Sequence, residues 1–382
     1  MALLPLQYAV RNLYRSVSRL VQLILGSALV VFLAMGAHAL NEGMRRMLAA
    51  SGSEKNVLIL GAGSEESTQR SEIPARAAGI AEASIAGAYA PLGVRAFSPQ
   101  IVHMTEVGVA GIRAKAFLRG VDERALLVHP EVVLLDGRFP GPGEAMVGRH
   151  AWRRLGVDAD SLRPGNTLQV DDAALRITGV FAAPGSVFES EIWMNLHELL
   201  ALARRETYSA IVVRLDDGDP VDVELFTRQR IDLELSAIPE KTYYAKLSWF
   251  YAPIRWMTWA TALLIATAAF FGGLNTIHAA FAARVREVAT LQAIGFSRAA
   301  VFVSFLQESM LTSAAGTLLG AAALLAVLSG RVVYIGAGAF EPDCGPETLG
   351  VGLAAGVLLG VLGTLPPAFR CLRPPLPQAL RD

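Results

Sequence analysis

Lysine is almost missing from this chain of 382 residues: Lys55, Lys115, Lys241 and Lys246 are the only ones, and none follows a glycine. A phosphate-cradling loop of the form G-x-x-x-x-G-K-[ST] is therefore excluded, and with it a P-loop of the chain's own. Cysteine is scarcer still, with Cys344 and Cys371 alone. The topology argued below places them on opposite sides of a membrane, so no intrachain disulfide is expected. Net charge is zero, so no overall basic excess points to nucleic acid. Neither G-x-S-x-G nor H-E-x-x-H occurs and the six histidines are scattered, which leaves no catalytic constellation and no metal-site spacing.

What the chain has in excess is apolar length. Apolar residues make up 53% of it, above the roughly 45 to 50% of globular proteins, and the mean hydropathy is +0.42. Runs at 21–40, 257–283, 299–328 and 349–369 each have the length of about 20 apolar residues needed to cross a hydrocarbon core. The expected fold is an α-helical membrane protein with four transmembrane helices, and a mixed α/β extracytoplasmic domain inserted between the first two.

Flanking charge orients these spans. Arg11, Arg15 and Arg19 precede the first at four-residue intervals, with Leu6, Val10, Leu13 and Val17 opposite, which predicts an amphipathic helix over 1–20 lying on anionic lipid. Arg284, Arg286 and Arg298 follow the second span, and Arg370, Arg373 and Arg381 follow the fourth. Basic flanks favour the cytoplasm, so both termini, 284–298 and the tail 370–382 are read as inside, and 41–256 and 329–348 as outside. Trp249, Tyr251, Trp256 and Trp259 suit an interfacial aromatic belt. Ala37-His38-Ala39 resembles a signal-peptide cleavage site, but the apolar run before it has the length of a span, beyond the about 7 to 15 residues of a signal h-region.

The exported segment 41–256 regains charge, glycine and proline. Residues 57–60 and 211–215 read as strands, 150–155 and 196–204 as short helices, and 167–170 with 175–181 as a hairpin around Asp171-Asp172-Ala173-Ala174. "LILGAGSEES" lacks the third glycine of a dinucleotide-binding turn, so a turn after a strand is the better reading. Glu189 and Glu191 invite comparison with a catalytic carboxylate pair, against which stands a solvated strand face. A binding or docking module is favoured over an enzyme.

The stretch "RVREVATLQAIGFSR" from Arg284 to Arg298 places Val285, Val288, Leu291 and Ile294 on one stripe, with Arg284, Glu287 and Gln292 elsewhere around the helix. Gly295 suits a C′ position and Ser297 an N-cap, predicting a short helix, a bend and a rising span. Two readings remain open from this pattern: a rigid surface for a soluble partner, or an interfacial helix that only shortens a connection.

The same stretch resembles the signature of the MacB/FtsX-like ABC transporter permeases, R-E-x-x-x-L-x-A-[IL]-G-x-S-R followed by an E-S-x-L turn. Arg286, Glu287, Leu291, Ala293, Ile294, Gly295, Ser297, Arg298, Glu308, Ser309 and Leu311 match it, and Gln292 stands where a basic residue is frequent. "AVRNLYRSVSR", "GEAMVGRHAWRRLGV" with "RPGNTLQV" and "LRITGVF", and "PPAFRCLRPPLPQALR" resemble the family's N-terminal helix, periplasmic core domain and C-terminal end, in that order. The resemblance implies a non-catalytic permease in the bacterial inner membrane, with no cofactor of its own. It implies a cytoplasmic ATPase dimer holding ATP and magnesium, a second permease, and in some members a periplasmic adaptor and outer-membrane channel. Arg284, Arg286, Glu287, Leu291, Ile294, Gly295 and Phe296 become the candidate ATPase-coupling residues. The implied activity is mechanotransmission that exports or extracts an amphiphilic molecule, peptide or lipoprotein; the alternative is an FtsX-like regulator of a periplasmic hydrolase.

Within the spans, Glu308 must face protein or be neutral, since a carboxylate at a bilayer centre costs about 2.5 to 3.5 kcal/mol on insertion scales. An interhelical hydrogen bond is favoured over a proton or substrate site. Gly316 with Gly320, and Gly352 with Gly356 and Gly360, mark helix-packing faces, within the subunit or across a dimer.

Overall fold

The structure is a computed structural model that describes residues 6–216, 218–282, 285–335 and 338–372. Arg284, Arg373, Arg381 and most of the expected tail lie outside the described residues. The chain forms two compact units, one of Met1–Gly43, Pro253–Arg331 and Glu341–Asp382, the other of Met44–Ala252 and Val332–Phe340.

In the first unit the helices Val17–Ala50, Ala252–Ala282, Arg298–Leu328 and Pro346–Leu372 carry four stretches long and apolar enough to cross a membrane. The first helix continues well beyond the apolar run, because residues 41–50 keep good helix formers such as Met44, Arg45, Leu48 and Ala49. Val31, Met35 and Leu324 form one small buried cluster, and Val288, Val301, Phe305 and Ala368 another.

The N-terminal helix differs from its expected form. It spans Leu6–Tyr14 and ends in a turn at Arg15, so Arg19 belongs to the next helix and the basic residues do not share one face. Its protein-facing side carries buried Ala9 and half-buried Tyr8, Asn12 and Leu13, while Val10 and Tyr14 are exposed. The packed side thus mixes small, polar and large residues, with Tyr8 against the cluster of Val288, Val301, Phe305 and Ala368.

The second unit is built from β1 (Asn56–Gly61), β2 (Ile73–Pro74), β3 (Phe97–Val109), β4 (Ile112–Val121), β5 (Val133–Gly137), β6 (Glu144–Gly148) and β7 (Thr167–Val170). It continues with β8 (Ala173–Ala182), β9 (Ile192–Asn195), β10 (Thr207–Tyr208), β11 (Ala210–Arg214), β12 (Leu235–Pro239), β13 (Val333–Ile335) and β14 (Gly338–Phe340). The main sheet runs β12-β1-β11-β3-β4-β9-β6-β8-β5, with β7 bridging β3 and β8. It is mixed: β4 with β9 and β6 with β8 are parallel, and its other pairs are antiparallel. One face buries Ile59, Phe97, Ile101, Leu118, Ile177, Ile192 and Ile211 under the helices Ala75–Ser84, Leu196–Leu202 and Pro220–Gln229. The β7–β8 hairpin turns at Asp171 and Asp172, with Asp171 at φ 49°, tighter than the four-residue connection expected.

Residues 329–348, expected only as a loop, contain the β13–β14 hairpin, which is counted with the exported domain. Phe340 is buried, and Tyr334 lies under Arg154, whose guanidinium carbon is 5.7 Å from its ring and 4.7 Å from that of Phe117. Burial pushes the Tyr334 hydroxyl up to about 12 and lowers the pKa of Arg154.

Candidate functional site

The helix after the second span runs Val285–Ala293 and stops at a glycine for a stereochemical reason. Phe296 N donates to Leu291 O at 3.1 Å and Gly295 N to Gln292 O at 3.1 Å, the paired bonds of a Schellman cap. Gly295 takes φ 107°, which only glycine adopts without strain. Leu291 and Phe296, at the two ends of this cap, pack on the same buried cluster. Ser297 then accepts from Ala300 N at 3.2 Å and starts the helix Arg298–Leu328.

This short helix is two-faced. Val288 and Ala289 are buried, with Leu291 and Gln292 half-buried beside them, and Val288 packs with Val301, Phe305 and Ala368 of the third and fourth span helices. The other side exposes Arg286, Thr290, Ala293 and Ile294, the last at 71%. The expected stripe is thus divided: Val288 and Leu291 hold the helix down, Val285 is half-buried, and Ile294 points out. Periodicity could not separate them, because Ile294 is the last residue before the cap, where the helix has turned away from the spans.

Of the candidate coupling residues, Arg286, Ile294 and Gly295 are exposed, while Glu287, Leu291 and Phe296 are only partly so. Glu287 forms an ion pair with Arg15 at the end of the N-terminal helix. That helix is fixed a second time, by Asn12 Nδ2 donating to Glu308 Oε1 at 3.0 Å. Glu308 is 7% exposed in the third span helix, so its carboxylate joins two helices. Neither partner was legible from sequence, since 272 and 296 residues separate the pairs.

The glycine faces meet within the subunit. A Cβ on Gly316 would stand 2.5 Å from Ser27 Cβ, and one on Gly320 2.6 Å from Ala28 O, so the third span helix lies against the first. Gly352 abuts Met35, Gly356 abuts Thr317, and a Cβ on Gly360 would stand 2.6 Å from Met310 Sδ. Ser313 Oγ donates to Gly356 O at 2.5 Å. Backbones approach this closely only where side chains are absent.

In the exported domain the reading of Glu189 and Glu191 as a solvated face is corrected: both are buried. Glu191 takes two bonds of 2.7 Å from Arg119 and one of 2.9 Å from Trp193 Nε1. Gln100 Oε1 accepts from Arg119 at 2.8 Å, and the guanidinium carbon lies 4.9 Å from the Phe188 ring. Burial works against the Arg119 cation, but the charge and hydrogen bonds of Glu191 override it and raise its pKa. Glu189 pairs separately with Arg149 at 2.7 Å and His150 at 3.5 Å. With each carboxylate held by its own cation, the two act as structural ties. Elsewhere, in the first unit, Glu42, Asp343 and Glu347 bring carboxylate oxygens within 4.8 Å of one another, and it is the remoteness of Glu42 from the other two in sequence that hid the cluster.

Comparison with known proteins follows this division of the chain. Residues 22–224 match the MacB-like periplasmic core domain, and residues 259–376 match the FtsX-like permease C-terminal region. No curated protein sequence matches the chain. Among solved structures, the periplasmic region of MacB from Actinobacillus actinomycetemcomitans is 13% identical over 54% of this chain and 96% of its own, with a TM-score of 0.41. The extracellular domain of the ABC-type transporter YknZ from Gram-positive bacteria is 10% identical over 48% of this chain and 99% of its own, with a TM-score of 0.38. The family is one of inner-membrane permeases, generally non-catalytic, that normally work with an ABC ATPase. Together the two sequence matches take in the exported domain, the capped helix and the closing spans, and the chain belongs to the MacB/FtsX-like ABC permease family.

Proposed function

We propose that this permease receives motion from a cytoplasmic ATPase dimer on the exposed side of the helix Val285–Ala293 and delivers it to the exported domain. The observation that carries this reading is the two-faced helix. Its inner side is bound to the third and fourth span helices through Val288 and Leu291, and its outer side offers Arg286, Thr290, Ala293 and Ile294. A helix pinned on one side and bare on the other moves with its spans when pushed.

On this reading the termini are cytoplasmic, ATP and magnesium are held by the partner, and a second permease, the same or different, completes the pair. The driven task is export or extraction of an amphiphilic molecule, peptide or lipoprotein, with an adaptor and outer-membrane channel where the substrate leaves the cell. Glu287 and Gly295 act indirectly, Glu287 by tying the helix to Arg15 and Gly295 by closing its end.

The test is gentle solubilisation of the tagged chain from its native membrane, followed by identification of what co-purifies. The wild-type chain is expected to bring down a P-loop ATPase in stoichiometric amount, and Ile294→Glu to lose it while still inserting and folding. Equal capture of the ATPase by wild type and Ile294→Glu, or no ATPase with either, refutes the docking surface.

A further inference from the structure

We infer that the exported domain binds an extended, cationic peptide along the free edge of β12. That strand is the last of its sheet: β1 pairs with one side of it, and no strand among the described residues pairs with the other. An unpaired strand edge presents backbone donors and acceptors in a row, the chemistry that a peptide satisfies by adding a strand.

Beside this edge lies a cleft of about 560 Å³ lined by β12, the helix Glu240–Phe250 and the loop after β1, within the range of about 300 to 1,000 Å³ typical of ligand sites. Its walls are unevenly made. Trp249 and Phe250 stand 81% and 65% exposed, with half-buried Leu247 beside them. Both belong to the helical stretch Glu240–Ile277 that includes the second candidate span, so the aromatic wall of the cleft is also the aromatic belt expected at a membrane surface, and it offers apolar contact to a peptide bound there. Glu65, Glu66 and Lys246 line the same cleft, two carboxylates and one ammonium among its lining residues. Glu65 Oε1 accepts from Gly63 N at 3.3 Å, and backbone hydrogen bonding, the Ser236 hydroxyl of β12 and the Lys246 charge keep its carboxyl below the usual range.

The balance of two carboxylates to one ammonium disfavours an anionic lipid headgroup and favours a basic residue. Alternation along a strand supplies the match: an added peptide turns every second side chain toward the aromatic wall and the others away. The inference deepens the proposed function, on which it rests only for calling the bound peptide a substrate; the binding itself needs no ATPase.

The experiment uses the full-length chain in lipid nanodiscs without any ATPase, and reads anisotropy of a fluorescein-labelled peptide alternating valine with lysine. Binding should weaken by about ten-fold or more when alternate amides of the peptide are N-methylated, which leaves the protein unaltered. Trp249→Ala should weaken it by a similar factor, and a glutamate-for-lysine version of the peptide should not compete. Absence of binding, indifference to N-methylation, or better binding of the acidic peptide overturns the inference. Loss of peptide binding with ATPase capture intact removes this site alone, whereas peptide binding without ATPase capture removes the permease docking reading instead.

Discussion

The two units of this chain each pack internally, but with a different balance of chemistry. The exported domain buries its largest side chains, with Trp193, Phe97, Phe117, Phe181 and Phe188 each almost wholly enclosed, and sets one bidentate ion pair among them. The span helices add a second mode: besides the small clusters around Met35 and Phe305, they meet at Gly316, Gly320, Gly352, Gly356 and Gly360 and add hydroxyl bonds such as Ser313 to Gly356 O. In water, burying apolar area drives packing, so large residues go inside. In lipid the surroundings are as apolar as leucine, so close backbone approach and hydrogen bonds hold helices together. The difference teaches that substituting a residue type has a sign that depends on the unit.

The largest break in that comparison should come from the buried pair. Arg119→Leu leaves Glu191 charged and enclosed, and removal of one partner of such a pair costs about 3 to 5 kcal/mol. Urea denaturation of a variant keeping Trp193 as its sole tryptophan, followed by its fluorescence, is expected to show that loss, and Arg119→Leu with Glu191→Leu to recover part of it. Recovery in the double variant sharpens the contrast, since it assigns the loss to the orphaned charge and not to packing.

Next in size is Gly316→Val, where the added atoms meet Ser27 and the backbone of Ile24. Overpacking of this kind costs about 1 to 3 kcal/mol, while Gly26→Val, with nothing within 4 Å, should be close to neutral. Thermal aggregation of the two variants in detergent compares them. Equal behaviour would mean that the spans do not depend on close approach.

Smaller again is Glu308→Ala, which removes the bond to Asn12; interhelical hydrogen bonds in membranes average about 0.6 kcal/mol and reach about 1.7. Glu308→Gln keeps an acceptor and should retain most of the stability. If Glu308→Gln loses function with stability preserved, the carboxylate has a proton role after all. The smallest effect is the pH response of Glu65. Its carboxyl titrates below the ordinary 4.5, chiefly through its backbone hydrogen bond, so it contributes stability that is full above that value and lost as pH falls through the lowered one. Urea melts above and below pH 4.5 should converge for Glu65→Gln and wild type only at the acid end.

Legibility in the sequence followed the range of the interaction. Gly295 and Ser297 were readable because caps are settled within a few residues, and the apolar helices because hydropathy accumulates over a whole span. The hairpin of β7 and β8 was readable from its alternation. The burial of Glu191 was not, because what reverses its character is Arg119, 72 residues away, and a glutamate in a short strand-like run reads as solvated until its cation is placed. The N-terminal helix failed for a related reason. One helix was expected over 1–20 with its basic residues on one face, but it stops at Tyr14 with a turn at Arg15, and the groups that tie it down, Glu287 and Glu308, lie far off in sequence. The hairpin at Val333–Phe340 left almost no pattern, since its strands are three residues each.

That hairpin changes how the chain is wired. The path passes between the two units after Gly43, after Ala252, after Arg331 and after Phe340, so the exported domain is not a pendant on two stems but is also stitched to the short segments that enter and leave the hairpin.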